Sequence, residues 1–406
     1  MAQELDTAAT KRLEQYIARL GTHLKDHRKR ESFAIYAFGI LGESGRKSVE
    51  PIAALACCDP ERTKNMHDKL LHFVGRSEWS DEAVRLEAAR YVSEELARRE
   101  QVTTWVVDDT GFLKQGKHSV GVQRQYTGSA GKITNCQVGV SLEIATPTQH
   151  APIDFELYLP ESWTNDPVRR HEARIPAEVE FKTKIDLALT MIQRAIRAQL
   201  PGQIILADSA YGESCHFRET VWGLGFDYAV GIKSQTKVCR IGACGRLGKP
   251  MTVADLGRTI PRRHRRTVRW REGSKTTLRG RFSFCRVKTT HDDGVPIDER
   301  SPLWLVIEWP LDDEDKTKFY LTTLPRSMSH KQIVRTIKER WRTERMYEDL
   351  KGELGLDHFE GRSFPGWHHH VSVVICCYAF VVAERARAFP PSARRKSSDH
   401  ALRVAA

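Results

Sequence analysis

The sequence predicts an α/β protein in which a core of mixed strands and helices follows an all-helical region and is interrupted by a β-rich insertion. Three observations lead there. Apolar residues in the first hundred positions recur at helical spacing. From residue 102, short β-branched runs alternate with a long amphipathic helix. Between 233 and 326, strand-like runs and turn residues replace helical periodicity.

In chain order, Leu13, Tyr16, Ile17 and Leu20 mark one helix, and Gly21 stands where a stop belongs. Ser80 is an N-cap candidate, with Asp81 and Glu82 complementing the helix dipole and Val84, Leu86, Ala88 and Ala89 facing inward. Residues 1–100 are thus expected to form a helical, DNA-binding domain. A strand is expected over 102–107, running into Asp108-Asp109. Two more are expected over 118–126 and 135–144, around the Gly-Ser-Ala-Gly turn at 128–131. Phe181, Ile185, Leu189, Ile192 and Ile196 predict an amphipathic helix, Pro201-Gly202 breaks it, and 203–207 is an apolar strand ending in Asp208. A helix over 215–224 and a strand over 228–232 follow. Three strands, helix, strand, helix, strand is the element order of an RNase H-like core lacking its last helix. That helix is expected over 330–354. The core therefore spans 101–232 and resumes at 327–385, around an inserted β-rich basic domain at 233–326 with strands near 281–287, 304–309 and 318–323. A loosely ordered basic tail occupies 386–406.

With 406 residues, 40% hydrophobic and 29% charged, the chain has material for more than one apolar core. The net charge of +12 favours a polyanionic partner, nucleic acid before a membrane surface. The longest apolar run, 371–383, is shorter than the ~20 residues of a membrane span. The first thirty residues lack the apolar stretch of a signal peptide, so a cytoplasmic, nucleoid-associated protein is expected. Nine cysteines without an even framework suggest reduced thiols, and Cys239 and Cys244 lack a second pair at zinc spacing.

The chemistry lies in three carboxylates. Asp109 and Asp208 each end a strand, so both reach one edge of a sheet. Magnesium takes oxygen ligands, and two such ions a few ångströms apart serve phosphoryl transfer. On a single helix over 330–354, Ile337, Arg340, Glu344 and Lys351 fall within about a 60° stripe, placing a carboxylate between two cations suited to phosphates. Spacing alone leaves other readings open. A strand-end Asp is commonly a turn former, and Arg340–Glu344 can be an ordinary i,i+4 pair. Glu348 competes for the third position and Asp108 for the first, since adjacent strand residues point to opposite faces.

Longer segments narrow the choice. They are Asp108-Asp109-Thr110-Gly111-Phe112 with 117–122, Leu206-Ala207-Asp208-Ser209-Ala210-Tyr211-Gly212, Arg340-Trp341-Arg342-Thr343-Glu344, 355–362 and His368-His369-His370. In this order, over most of 30–385, the chain resembles transposases of the insertion sequence 701 family, within the insertion sequence 4 group of DDE enzymes. The group's Tyr-x2-Arg-x3-Glu-x6-Lys signature falls on Arg340, Glu344 and Lys351, with Ile337 where the Tyr would stand. Its Asp-Thr pair selects Asp109, and its second Asp matches Asp208. The resemblance implies cut-and-paste movement of a DNA element by a Mg²⁺-dependent endonuclease and strand transferase. Two ions, replaceable by Mn²⁺, would sit on Asp109, Asp208 and Glu344. It also implies double-stranded DNA partners (terminal inverted repeats and target) and a homodimeric synapse, with hairpin formation on the element end a feature of the wider group.

Residues 237–288 carry sixteen Lys and Arg against two acids, a net charge of +14 that exceeds the whole chain's. Binding there would be steeply salt-dependent. Arg262, Arg263, Arg265 and Arg266 form its densest part. Trp270 is a candidate for stacking on an extruded base, against the alternative of a core Trp in a hairpin. The three consecutive histidines cannot share one ion on a helix, so packing or phosphate contact is expected of them. The rival in another class is a catalytically inactive DNA-binding remnant or repressor.

Overall fold

The structure is a computed structural model. It describes residues 7–388 apart from 44, 58, 243, 273–276, 291–301 and 311–315. The basic tail expected after residue 388 lies outside the described residues. Five helices come first: α1 (Thr7–Gly21), α2 (His27–Leu41), α3 (Val49–Ala56), α4 (Pro60–Gly75) and α5 (Asp81–Ala97). The Ser80 hydroxyl accepts the Ala83 N–H as the expected N-cap. The chain then enters β1 (Thr104–Leu113), β2 (Gln123–Thr127), β3 (Lys132–Ala145) and β4 (His150–Tyr158), followed by short helices α6 (Glu161–Thr164) and α7 (Pro167–Glu172). Next come α8 (Lys184–Arg197), β5 (Ile204–Ala207), the single turn α9 (Ser209–Gly212), α10 (Cys215–Gly223) and β6 (Asp227–Ile232).

Strand β1 pairs antiparallel with β3 and parallel with β5, β5 pairs parallel with β6, and β4 pairs antiparallel with β3. The resulting order β4-β3-β1-β5-β6 agrees with the element order expected of an RNase H-like core. One strand is corrected. The third core strand is β4, not 118–126, of which only 123–127 is extended, as half of the β2–β3 hairpin. Alternation did not reveal β4, because it is buried on both faces over most of its length.

The stretch after β6 continues the same sheet. It contributes β7 (Lys237–Ile241), β8 (Leu247–Thr252), α11 (Val253–Thr259), β9 (Arg266–Glu272), β10 (Thr277–Thr289), β11 (Leu303–Trp309) and β12 (Lys318–Thr322). β12 pairs antiparallel with β6, which joins these strands to the core in one mixed twelve-stranded sheet among the described residues.

The last helices are α12 (His330–Glu339), α13 (Trp341–Gly352) and α14 (Phe364–Ala388). The single helix expected over 330–354 is broken at Arg340. The break lets the two halves serve different surfaces. Ile333, Val334 and Ile337 of α12 pack with Val106, Leu206 and Ala229, while Thr343 and Tyr347 of α13 meet β3. Ile337 is 6% exposed, so the position where the signature carries a Tyr is filled here by core packing. α14 is buried around most of its circumference, against β4, α2, α4 and α5, which accounts for the apolar run at 371–383. No helix of the described residues is long and apolar enough to cross a membrane.

A glycine sets the approach of α9 to the sheet. A Cβ on Gly212 would lie 2.0 Å from the Gly231 carbonyl oxygen and 2.9 Å from Val230 Cβ. Gly212→Ala is therefore expected to cost about 1–3 kcal/mol by forcing backbone apart, read as a lower urea midpoint.

Candidate active site

Strands β1 and β5 are parallel neighbours, with Val107 in register with Ala207, so Asp108 and Asp109 lie beside Asp208 where β5 ends. The first strand, expected to stop at 107, is corrected, because β1 runs on to Leu113 against β3 and carries both aspartates at its middle. Alternation decides which way each points. Trp105 and Val107 of β1 belong to the large cluster that includes α8, whereas Val106 packs on the other face with α12. By the same period, Asp108 shares the face of Val106 and Asp109 that of Val107. The contacts agree. Asp108 Oδ2 accepts from Arg340 Nη1 at 3.1 Å, while Asp109 Oδ2 accepts from Lys184 Nζ at 3.1 Å and from the Tyr211 hydroxyl at 3.3 Å. Asp208 caps α9 by accepting the Ala210 N–H at 2.8 Å, and its Oδ2 lies 3.8 Å from Arg340 Nη2. Arg340, the residue at the helix break, thus spans Asp108 and Asp208.

Glu344 comes from α13, which two polar contacts hold on the sheet. Thr343 Oγ1 donates to Glu143 Oε2 at 2.7 Å, and the hydroxyls of Tyr347 and Ser141 lie 2.6 Å apart. Ser141 also donates to Glu143 Oε1 at 3.0 Å. Asp108, Asp109, Asp208, Glu344 and Glu348 line one cavity of about 600 Å³ with Arg340, Lys184 and Lys351. An adjoining cavity of about 530 Å³ shares Asp208, Arg340 and Glu344. Lys351 lies within this site, its Nζ donating to the Gly111 carbonyl at 2.7 Å.

Burial sets the electrostatics. It pushes the Asp108 carboxyl up to about 7, against the lowering effect of Arg340, and it does the same to Glu143. Burial also raises the Tyr211 and Tyr347 hydroxyls, with nearby carboxylates adding to it, and lowers the Lys351 ammonium. A carboxyl raised in the fold costs stability as pH climbs from the ordinary Glu value through about 7. Glu143→Gln keeps an acceptor for Thr343 and loses that charge. Its melting temperature is therefore expected to fall less than the parent's between pH 5 and pH 8, in paired thermal melts.

The donor set, all carboxylate oxygen, fits a hard divalent cation. In this arrangement Arg340 and Lys184 occupy those oxygens, and among the described residues no three Asp, Glu, His or Cys side chains converge on one ion position. Sequence reasoning did not single out Lys184, Tyr211, Glu143 or Tyr347. Tyr211 sits in the Asp208 segment and was visible there, but the others enter through sheet register and helix docking.

The basic residues are spread over the insertion. Arg262 and Arg263 are exposed on a short 3-10 turn, and Arg265 lies 3.7 Å from the Trp309 ring. Arg266 is exposed and reaches His330 at 3.4 Å. Trp270 is half-buried, edge-on to Phe282 at 5.7 Å with Lys338 Nζ 5.0 Å from its ring, so its indole serves packing here. The three histidines have three separate partners, as their helical spacing requires. His368 meets Glu156, His369 lies between the Val74 and Trp79 carbonyls, and His370 between the Tyr36 hydroxyl and the Gly355 carbonyl.

Comparison with known proteins addresses the family of the chain. Residues 19–277 match the family model "DDE superfamily endonuclease", and residues 182–380 match "Transposase DDE domain". The chain is also similar to the probable transposase for insertion sequence element IS701 of Microchaete diplosiphon, at 23% identity over 96% of this chain and 92% of that one. Such domains work on DNA with divalent metal ions. With more than half of its length matched by the first of these models, and the second overlapping it, this chain belongs to the DDE superfamily of endonucleases, of the transposase kind.

Proposed function

We propose that the chain catalyses cut-and-paste transposition of an insertion sequence, cleaving the element's ends and joining their 3′-hydroxyls to target DNA. The observation that carries this reading is the single cavity in which Arg340 spans Asp108, midway along β1, and Asp208, just after β5, beside Glu344. Asp208, Glu344 and one of the paired aspartates would hold two Mg²⁺ ions, with Mn²⁺ as a substitute. Bound there, the ions would supply activation of the attacking oxygen and stabilisation of the leaving one. The chain's own groups do the rest. The α9 turn orients Asp208, Glu143 and Ser141 hold α13 with Glu344 lining the cavity, and Arg340, Lys184 and Lys351 offer cations to phosphate oxygens.

Two sets of ligands are in play. The Asp-Thr motif selects Asp109 with Asp208 and Glu344. The face shared with Arg340 and α13 favours Asp108 instead, leaving Asp109 to Lys184 and Tyr211. The remaining assignments also belong to this proposal. The helices before residue 100 would bind the terminal repeats. The inserted domain at 233–326, with Arg262, Arg263, Arg265 and Arg266, would track the DNA backbone, with Trp270 alongside. Two copies would pair the element ends.

The test is a duplex oligonucleotide carrying the element's terminal inverted repeat, incubated with protein and Mg²⁺. Cleavage followed by joining to a target plasmid is the expected result. A shift of the duplex without metal-dependent cutting would favour the inactive DNA-binding reading, and cutting without joining would mark a nuclease.

A further inference from the structure

One wall of the carboxylate cavity is neither charged nor buried. Tyr126 of β2 lines it, and Tyr126 pairs directly across the hairpin with Ile133 of β3. These side chains are 62% and 61% exposed, among the most exposed large apolar residues described. Their direction follows from register. Along β3, residues 133 to 143 pair without a register shift up to Leu142, so Ile133 shares a sheet face with Ser141, the partner of Asp108 and of Tyr347. Tyr126 thus stands on the face that carries Arg340 and Glu344.

The hairpin is also tied to the site. Ser129, in its turn, accepts the Gly111 N–H at 3.1 Å and lies 3.4 Å from Lys351 Nζ. An aromatic–aliphatic cross-strand pair can simply staple a hairpin. A staple needs only the two side chains against each other, and it does not account for an aromatic ring at the rim of a cavity whose other walls hold five carboxylates and three cations.

We propose that Tyr126, backed by Ile133, is a stacking platform for a nucleobase of the DNA strand whose phosphate enters the carboxylate cavity. The ligand class follows from the surroundings: cations for phosphate, carboxylates at the reacting centre, and one exposed aromatic face beside them. The inference rests on the transposase reading and deepens it by adding a contact to the base next to the reacting phosphate.

The experiment uses full-length Asp208→Asn protein, so that complexes form without cutting. Terminal-repeat duplexes carry 2-aminopurine at each nucleotide flanking the cleavage position. Stacking on Tyr126 is expected to change the fluorescence at one of these nucleotides. Adding Tyr126→Phe should preserve the change. Adding Tyr126→Leu, which keeps the apolar pair but removes the ring, should abolish it and weaken binding about tenfold. Equal fluorescence changes with and without the ring, in complexes that do form, would overturn the inference and leave the transposase reading standing. No shift of the duplex by any of the proteins would remove both. Thermal melts are expected to be unchanged, because the residue is exposed.

Discussion

Asp208→Asn and Glu344→Gln are each expected to reduce metal-dependent strand cleavage by at least ~10³-fold while duplex binding stays within about threefold. The separation follows from where charge is needed. Cleavage requires ions held against a phosphate that develops charge, whereas duplex affinity is expected from Lys and Arg contacts to many phosphates. Gel-shift titration and a nicking assay on the same preparations give the two numbers. Normal cutting by either variant would take that residue out of the ligand set. The paired aspartates sharpen the result. If α13 defines the site, Asp108→Asn should be as damaging as Asp208→Asn, and Asp109→Asn milder. If the Asp-Thr motif defines it, the order reverses. Rates that fall equally would mean that both carboxylates serve, one as ligand and one by holding Lys184 and Tyr211.

The largest effect on stability is expected far from that cavity, at Arg85→Ala. Arg85 is almost fully buried and meets Asp154 at 3.2 Å, Glu156 at 3.6 Å, Ser372 at 2.8 Å, and Asp81 one helical turn away. Arg194 closes the other side, at 2.6 Å from Asp154 and 2.5 Å from Glu156, and His368 adds a contact to Glu156 at 3.3 Å. This network joins α5, β4, α8 and α14. Truncating Arg85 leaves buried carboxylates undercompensated, and the expected loss is about 3–5 kcal/mol, measured by urea unfolding near neutral pH.

The pH dependence has a definite sign. Burial works against the charge on Glu156, but His368, Arg194 and Arg85 outweigh it and hold the carboxyl far below its ordinary value; Arg85 holds Asp81 down as well. Their stabilisation is therefore fully present above the ordinary carboxylate range and is lost as pH falls below it. Between pH 5 and pH 2 the parent protein should lose more stability than the Arg85→Ala variant. An equal loss in both would mean that the network does not dominate acid unfolding.

Much of the site was legible because its parts are local. Asp108-Asp109 at the end of a β-rich run, Asp208 directly after an apolar strand, and Glu344 flanked by Arg340 and Lys351 each combine a side chain with a recognisable element. The strands of the insertion near 281–287, 304–309 and 318–323 were legible for the same reason. Strand β4 was not, since a segment buried on both faces loses the alternation that marks a half-exposed strand. The break at Arg340 was not either, because nothing between 330 and 354 interrupts helical periodicity. The two helices on either side of it have different partners, Ile337 in the cluster with Val106 and Thr343 on Glu143.

By itself the sequence carried the concentration of positive charge within 237–288 and, through the motifs it shares with a known family, pointed to the class of chemistry and to the three chain segments proposed to carry it. These depend on residue type and spacing, which need no partner from elsewhere in the chain. Only the tertiary structure decided that Asp108 meets Arg340 while Asp109 meets Lys184 and Tyr211, that Glu143 and Ser141 dock the helix bearing Glu344, and that three neighbouring histidines serve three unrelated contacts. Each of these is a contact across a sheet or between distant segments. A side chain's direction there is set by strand pairing and by what packs over it, and adjacent residues such as Asp108 and Asp109 differ in nothing else.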